Sequence, residues 1–351
     1  MASVRTDFHA LRVAAVEALT DDAAAVTFAV PAELTSTFTF SPGQSLTLRI
    51  GEQRRSYSIC APAGQPPRIG VREVAGGAVS GWLVHQLRPG DLIDVQAPAG
   101  SFTPELQAAG RHVLIAAGSG ITPMLSIAAS VLAGNAESTV TLLYGNRRTD
   151  SVMFADDVAD LKDAYPVRMR LVHVLSREQQ EVELFSGRLD ADKLRVLLPA
   201  TVEVADVDHW WLCGPFGMVT DAIEVLTEQG VPAGRIHREL FYVGDEPPEQ
   251  AQHPEAPPGD GAEVTVVLDG RSTTVQVAAG VAVLDGVQKV RPDLPFACKG
   301  GVCGTCRALL THGEVHLRRN YALEQAELDA GYVLTCQALP VSESVTVDFD
   351  S

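Results

Sequence analysis

The sequence predicts three domains of different class: an N-terminal antiparallel β-barrel, a doubly wound α/β domain on a parallel sheet, and a small C-terminal α+β domain. Three observations carry this expectation. Over residues 1–106, short runs rich in Val, Thr, Leu and Ile alternate with Gly/Pro turns, and over 107–243 apolar strands alternate with segments of helical period. A Pro-, Gly- and acid-rich stretch at 244–261 then precedes a last segment, 262–351, that holds four cysteines. At 351 residues the chain is too long for one ordinary core, and a domain size of about 100–200 residues allows two or three.

In the first domain the runs LRVAAVEAL, AVTFAV, QSLTLRI, RRSYSIC and DLIDVQAP read as strands separated by turns, the pattern of an antiparallel barrel or sandwich. Arg55-Ser56-Tyr57-Ser58 closes one of them, and Gly76-Gly77-Ala78-Val79-Ser80 leads into the helix-like SGWLVHQL. A cation, a flat aromatic and a hydroxyl at this spacing can bind a phosphate, cover a ring and hydrogen-bond a ring nitrogen. The second loop can take a further phosphate on its helix N-terminus. A polar surface strand produces the same pattern by simple alternation, so both readings stand on these residues alone.

The second domain alternates HVLIAAG, TPMLSIAASVLA, TVTLLYG, ADDVADLKDAY, VRMRLVHVL, HWWLCG and MVTDAIEVLTEQ, which predicts a parallel sheet with helices on both faces. Gly118, Gly120, Thr122 and Pro123 follow the first strand. Glycines at a strand-to-helix turn let backbone amides approach a diphosphate, although a turn needed only for packing looks the same, and Pro123 replaces the third glycine of the usual fingerprint. Cys213-Gly214-Pro215 ends the strand HWWL on the same sheet edge, where a thiol can face a nicotinamide ring or simply fill the core. Ser176 and Arg177, with Arg147 and Arg148 from the neighbouring strand end, would form a pocket for an additional phosphate.

Residues 244–261, GDEPPEQAQHPEAPPGDG, contain no apolar residue larger than Ala and read as an extended acidic linker, long enough to let the last domain move during turnover. Beyond it, EVTVVLDGRSTTVQV is a hairpin around Asp269-Gly270, AVLDGVQKV is helix-like, and YVLTCQAL and SVTVDFD are strand-like. Cys298, Cys303, Cys306 and Cys336 are separated by four, two and twenty-nine residues. This is the plant-type spacing of a 2Fe-2S cluster. A structural zinc site usually draws on two short Cys or His pairs, and only Cys303 and Cys306 form such a pair here. Gly300, Gly301 and Gly304 lie among the thiols, where missing side chains let N–H groups reach cluster sulfurs.

A net charge of −17, from 27 basic and 44 acidic residues, opposes nucleic-acid binding. No apolar run approaches the roughly 18 residues of a membrane span and no secretory leader is evident, so a cytoplasmic protein with no membrane partner is expected. Cys60 and Cys213 would then stay thiols.

With these residues laid out, the chain resembles the ferredoxin-NADP reductase superfamily, in the arrangement with a plant-type ferredoxin domain fused at the C-terminus. RRSYS is similar to that family's flavin signature, GSGITP to its dinucleotide loop, SREQ to its 2′-phosphate contact and CGPFGM to its nicotinamide-side motif, in family order. The resemblance implies a flavin barrel, an NADP domain and a β-grasp ferredoxin domain. It implies that Arg55, Tyr57 and Ser58 hold FAD, with Gly77 and Ser80 at its diphosphate and Phe241 packed by the flavin. Gly118, Gly120, Thr122 and Pro123 would cradle the NADPH diphosphate, and Arg147, Ser176 and Arg177 the 2′-phosphate. Cys213 and Gly214 would lie by the nicotinamide, which makes Ser58 and Cys213 the residues nearest the hydride. Cys298, Cys303, Cys306 and Cys336 would ligate the cluster. The implied activity is electron transfer from NADPH through FAD and 2Fe-2S to an oxygenase component of the di-iron monooxygenase kind. Another hydroxylase, a desaturase or a soluble carrier as acceptor leaves the same motifs. A non-catalytic redox sensor is the different class to weigh, and it has no use for a hydride donor.

Overall fold

The computed structural model describes residues 8–51, 53–241, 261–296, 299–302, 304–323 and 325–351. The acidic stretch 244–260, Tyr242, Cys298 and Cys303 therefore lie outside the described residues. The chain divides into two compact units, one made of His9–Gln53 with Tyr57–Phe241 and the other containing residues 261–351.

The first unit begins with β1 (Phe8–Thr20), β2 (Ala23–Ala29), β3 (Ser45–Ile50), β4 (Gln53–Ser58), β5 (Arg68–Arg72), helix α1 (Ala78–His85) and β6 (Leu92–Gln96). The sheet runs β4-β3-β6-β1-β2-β5. An antiparallel bridge from Ile59 to Ile69, with Cys60 N–H donating to Arg68 O at 2.8 Å, joins its two edge strands and closes the barrel. Closure removes both sheet edges. Leu11, Val26, Phe28, Leu46, Leu48 and Ile69, each at 0% exposure, fill the inside, as period-two alternation requires.

The same unit continues with β7 (Arg111–Ala117), α2 (Ile121–Gly134), β8 (Thr139–Asn146), α3 (Ala155–Ala164), β9 (Met169–Leu175), α4 (Ala191–Thr201), β10 (His209–Gly214), α5 (Phe216–Glu228) and β11 (Ile236–Leu240). All pairs are parallel, in the order β11-β10-β7-β8-β9. Strands buried on both faces read as the near-continuous apolar runs seen in the sequence. Helices α2 and α3 share one core against the sheet, while α4 packs on α5, which lies against β10 and β11. Helix α4 is absent from the sequence expectation, because Pro199 sits inside it. Its N-cap, Asp190, accepts from Lys193 N–H at 3.0 Å, which supplies a start signal.

The second unit holds β12 (Ala262–Leu268), β13 (Arg271–Val277), α6 (Val283–Val287), β14 (Arg307–His312), β15 (Val315–Leu317), α7 (Gln325–Asp329), β16 (Tyr332–Leu334), β17 (Ala338–Pro340) and β18 (Ser344–Asp348). Its main sheet runs β13-β12-β18-β14-β16, with β12 and β18 parallel, and β15 pairs with β17. The hairpin at Asp269-Gly270 is present, with both residues at positive φ. YVLTCQAL is not one strand, however. Gln337 N–H donates to Leu334 O at 2.8 Å, so the chain turns there and Cys336 sits in the turn between β16 and β17. The helix in AVLDGVQKV is also short, ending at Val287.

Candidate functional site

Strand order fixes where a ligand can sit. From β7 the chain proceeds through β8 to β9 on one side, whereas β10 and β11 extend the other side, so a crevice opens beyond the carboxyl ends of β7 and β10. Gly118-Ser119-Gly120 leaves β7 in a single 3₁₀ turn and enters α2. Gly118 has φ +55°, and a Cβ at Gly120 would lie 2.2 Å from the Cys213 carbonyl oxygen. Only glycine therefore lets this loop press against the end of β10. The first N–H of α2, that of Ile121, is taken by Gly118 O and Ser119 O of the 3₁₀ turn, and Pro123, in the first turn of α2, forfeits no intrahelical bond. Thr122 donates to Ser119 O at 3.0 Å, and its buried methyl meets β5, where a Cβ on Gly70 would approach within 2.4 Å. Thr122 and Pro123 thus act through loop shape, their side chains being buried.

Across the crevice, Cys213 pairs in register with Glu239 on β11. Ser58, at the end of β4, donates its hydroxyl hydrogen to Glu239 Oε2 at 2.9 Å. Burial pushes the Glu239 carboxyl up to about 7, with the Ser58 hydrogen bond pulling the other way. Cys213 is 0% exposed, and burial, reinforced by the Glu239 charge, pushes its thiol well above the ordinary range. It is a neutral thiol at neutral pH rather than a nucleophilic thiolate. The structure thus joins the two residues singled out for hydride chemistry through a third, Glu239, that sequence reasoning missed. A lone acid ending an otherwise mixed strand, HREL, was the available signal.

On the barrel, Arg55 is exposed and donates to Arg54 O at 2.7 Å, while Tyr57 is half-buried against the barrel core. Gly76 takes φ +73°, and Ser80 Oγ accepts from Val74 N–H at 3.0 Å and donates to Gly77 O at 3.2 Å. A Cβ on Gly77 would lie 2.6 Å from that hydroxyl. Ser80 therefore closes the turn and leaves bare backbone at the start of α1. Arg72 on β5, also missed, lies against Gly118, where an added Cβ would be 3.2 Å from its Nη1, and its Nε donates to Asp22 at 2.9 Å. Phe241 packs, partly buried, on the apolar cluster that includes Cys213, and Gly214 adopts φ +149° beside it.

At the neighbouring strand ends, Ser176 N–H donates to Asn146 O at 2.9 Å and Arg177 N–H to Arg147 O at 2.8 Å. The ladder runs past β8 and β9 and sets exposed Arg147 and Arg177 beside Ser176. Arg148 does not join them, since it pairs with Asp150.

In the second unit, Cys306 and Cys336 are buried at 2% and 1% exposure. Thr335 N–H and Thr335 Oγ1 both donate to Cys306 O, at 3.1 and 3.0 Å, which fixes the two cysteines side by side. Gly301 and Gly304 take φ +80° and +65° around them. Donor type and close-approach backbone suit a sulfur-ligated cluster.

Models of an oxidoreductase FAD-binding domain, an oxidoreductase NAD-binding domain and a 2Fe-2S iron-sulfur cluster binding domain match residues 10–103, 114–224 and 266–341. The chain is 42% identical to one of the subunits of 1,2-phenylacetyl-CoA epoxidase from Escherichia coli, over 99% of each chain. It belongs to the ferredoxin-NADP reductase family, in the form that carries a C-terminal 2Fe-2S domain. The reductase is also 33% identical to the ferredoxin reductase component of 3-ketosteroid-9-alpha-monooxygenase from Rhodococcus rhodochrous, over 97% of this chain and 96% of the other. Phthalate dioxygenase reductase shares its fold, with a TM-score of 0.59 at 22% identity over 97% of this chain and 98% of the other. The reductase is thus an electron-transferring oxidoreductase with FAD, nicotinamide-dinucleotide and 2Fe-2S domains. Among the described residues no helix is long and apolar enough to cross a membrane.

Proposed function

We propose that the reductase draws electrons from NADPH and delivers them to the oxygenase of a phenylacetyl-CoA epoxidase. The observation that carries this reading is the 42% identity to a component of such an enzyme along 99% of each chain. When bound, FAD accepts a hydride and returns its two electrons separately, and a 2Fe-2S cluster carries them one at a time.

The chain's own residues do the rest. Arg55, Tyr57 and Ser58 orient the flavin, and the backbone from Gly77 to Ser80 meets its diphosphate. Gly118 and Gly120 admit the dinucleotide diphosphate to the start of α2, with Thr122 and Pro123 setting the loop shape, while Arg147, Ser176 and Arg177 grip a 2′-phosphate. Cys213 and Gly214 close the nicotinamide side and exclude water, and Phe241 packs at the flavin. Glu239, with its carboxyl raised to about 7, can take up a proton at neutral pH through the Ser58 hydroxyl that donates to it. Cys298, Cys303, Cys306 and Cys336 hold the cluster, and the protein works in the cytoplasm.

A second reading, delivery to a different hydroxylase, is favoured by the 33% identity to the ketosteroid monooxygenase component. Reconstitution separates the two. Purified reductase, NADPH and the oxygenase component of a phenylacetyl-CoA epoxidase should yield epoxide from phenylacetyl-CoA. Product formed only with a steroid hydroxylase would overturn the first reading.

A further inference from the structure

Lys299 falls between Cys298 and Cys303 in the sequence, yet the side chain that anchors its carbonyl comes from the far end of the domain. Gln337, at 4% exposure, donates from Nε2 to Lys299 O at 2.7 Å, and the same nitrogen lies 3.6 Å from Cys336 Sγ in donor geometry. The orientation of the carboxamide is decided by chemistry. Lys299 O is a carbonyl and can only accept, so the nitrogen must face it; turning the amide over would set two oxygens together in a buried site. With one Nε2 hydrogen committed to Lys299 O, the second points to Cys336 Sγ.

The surrounding contacts keep it there. Gln337 N–H closes the turn to Leu334 O at 2.8 Å, and Gln337 O accepts from Arg318 N–H at 3.0 Å. Gly301 lies on the stem of the side chain, where an added Cβ would come within 3.1 Å of Gln337 Cγ. On the other flank of Cys336, Thr335 ties the backbone to Cys306 O twice. These two residues therefore divide the work: Thr335 sets the spacing of two ligands, and Gln337 reaches a ligand sulfur directly.

We infer that Gln337 is a positioning residue for the iron–sulfur centre, which donates an N–H to the Cys336 thiolate, pins the Lys299 loop, and raises the reduction potential of the cluster. The inference rests on Cys336 being a cluster ligand. A donor to a ligating sulfur stabilises negative charge, and one-electron reduction adds negative charge to the Fe–S unit, so the reduced form gains more than the oxidised form. The electron taken into the cluster arrives with nothing lost or broken in the protein; only the strength of this N–H···S contact changes.

The test is a redox titration of the full chain followed by electron paramagnetic resonance. Gln337→Met keeps the stem length and removes both donated hydrogens. At a fixed solution potential, the oxidised-to-reduced ratio of its cluster should rise up to about tenfold over wild type, equal to about 59 mV for one electron. An intact cluster with wild-type potential and line shape overturns the inference. Should the variant fail to retain a cluster, the wild-type protein decides: with glutamine side-chain amides labelled with ¹⁵N, the reduced cluster should show hyperfine coupling to an amide nitrogen, and no coupling overturns the inference. A wild-type chain that lacks a 2Fe-2S signal altogether overturns the electron-carrier reading and takes this inference with it, an outcome distinct from a normal cluster that ignores Gln337.

Discussion

The two ends of the parallel sheet both hold buried or half-buried titratable groups, and they hold them for different reasons. At the carboxyl end, Glu239 is raised to about 7 and bonded to Ser58, next to Cys213 and the glycine loop. At the amino end, His112 on β7, His209 on β10 and His237 on β11 gather around Trp211. Trp211 Nε1 donates to His112 Nδ1 at 3.2 Å, His209 Nδ1 and His237 Nε2 are 3.2 Å apart, and the Trp211 and His237 rings stack at 4.2 Å. Burial and then the neighbouring His209 push both His112 and His237 down to about 4. A perturbed acidity marks a functional site only where the topology also delivers ligand-binding loops. The carboxyl end receives Gly118, Ser58 and Arg177; the amino end receives rings that pack on one another.

The sharpest way to break this comparison is to exchange one group at each end. Glu239→Gln keeps an acceptor for Ser58 but cannot take up a proton, so the rate of reoxidation of the reduced flavin, the half-reaction that releases a proton, should fall by about a hundredfold in stopped-flow absorbance, the lower part of the range for positioned acid–base groups. Any inflection of that rate near pH 7 should vanish with it. His237→Asn at the opposite end should leave the same rate within about twofold. Equal losses at both ends would mean that Glu239 acts through stability alone.

A smaller effect sharpens the comparison within the carboxyl end. If Arg177 reads a 2′-phosphate, Arg177→Ala should lower the ratio of kcat/KM for NADPH over NADH by about tenfold, since a charge-assisted hydrogen bond contributes about 1.5–3 kcal/mol. An unchanged ratio would put the phosphate pocket elsewhere. Glu178, which accepts from Thr149 N–H at 2.8 Å one residue beyond, makes the test informative, because a carboxylate there works against phosphate.

The parts of this design that the sequence discloses are the local ones. Strand and helix periods, the glycine turn after HVLIAAG, the Asp269-Gly270 hairpin and the cysteine spacing are each written in a few consecutive residues. Glu239 was not legible because its partner Ser58 lies 181 residues away, and the break in YVLTCQAL was not legible because contacts from other segments impose it. Gln337 reads as an ordinary polar residue until the fold brings Lys299 O to it. The histidines show no motif at all; only the strand order β11-β10-β7 aligns them.

The smallest expected effect concerns that histidine end and is one of stability. A histidine whose folded value lies near 4 rather than 6.5 binds fewer protons in the native state than in the unfolded state across this window. Stability is therefore intact above about 6.5 and falls as pH drops toward 4. Protonated His112 could no longer accept from Trp211, so charging it also breaks that hydrogen bond. Glu239 has the opposite sign: raised from 4.5 to about 7, it binds more protons when folded, and its contribution is present below 4.5 and lost as pH rises through 7. Removing one base should expose the contrast. In His112→Gln, which retains an acceptor for Trp211, the drop in melting midpoint between pH 7.5 and 5 should shrink by about 2–4 °C, the shift that ~1 kcal/mol produces in a domain of this size. A drop of the same size as in the wild type would assign the acid sensitivity to groups other than this cluster, and the two ends of the sheet would then differ in location but not in what their titration does to the fold.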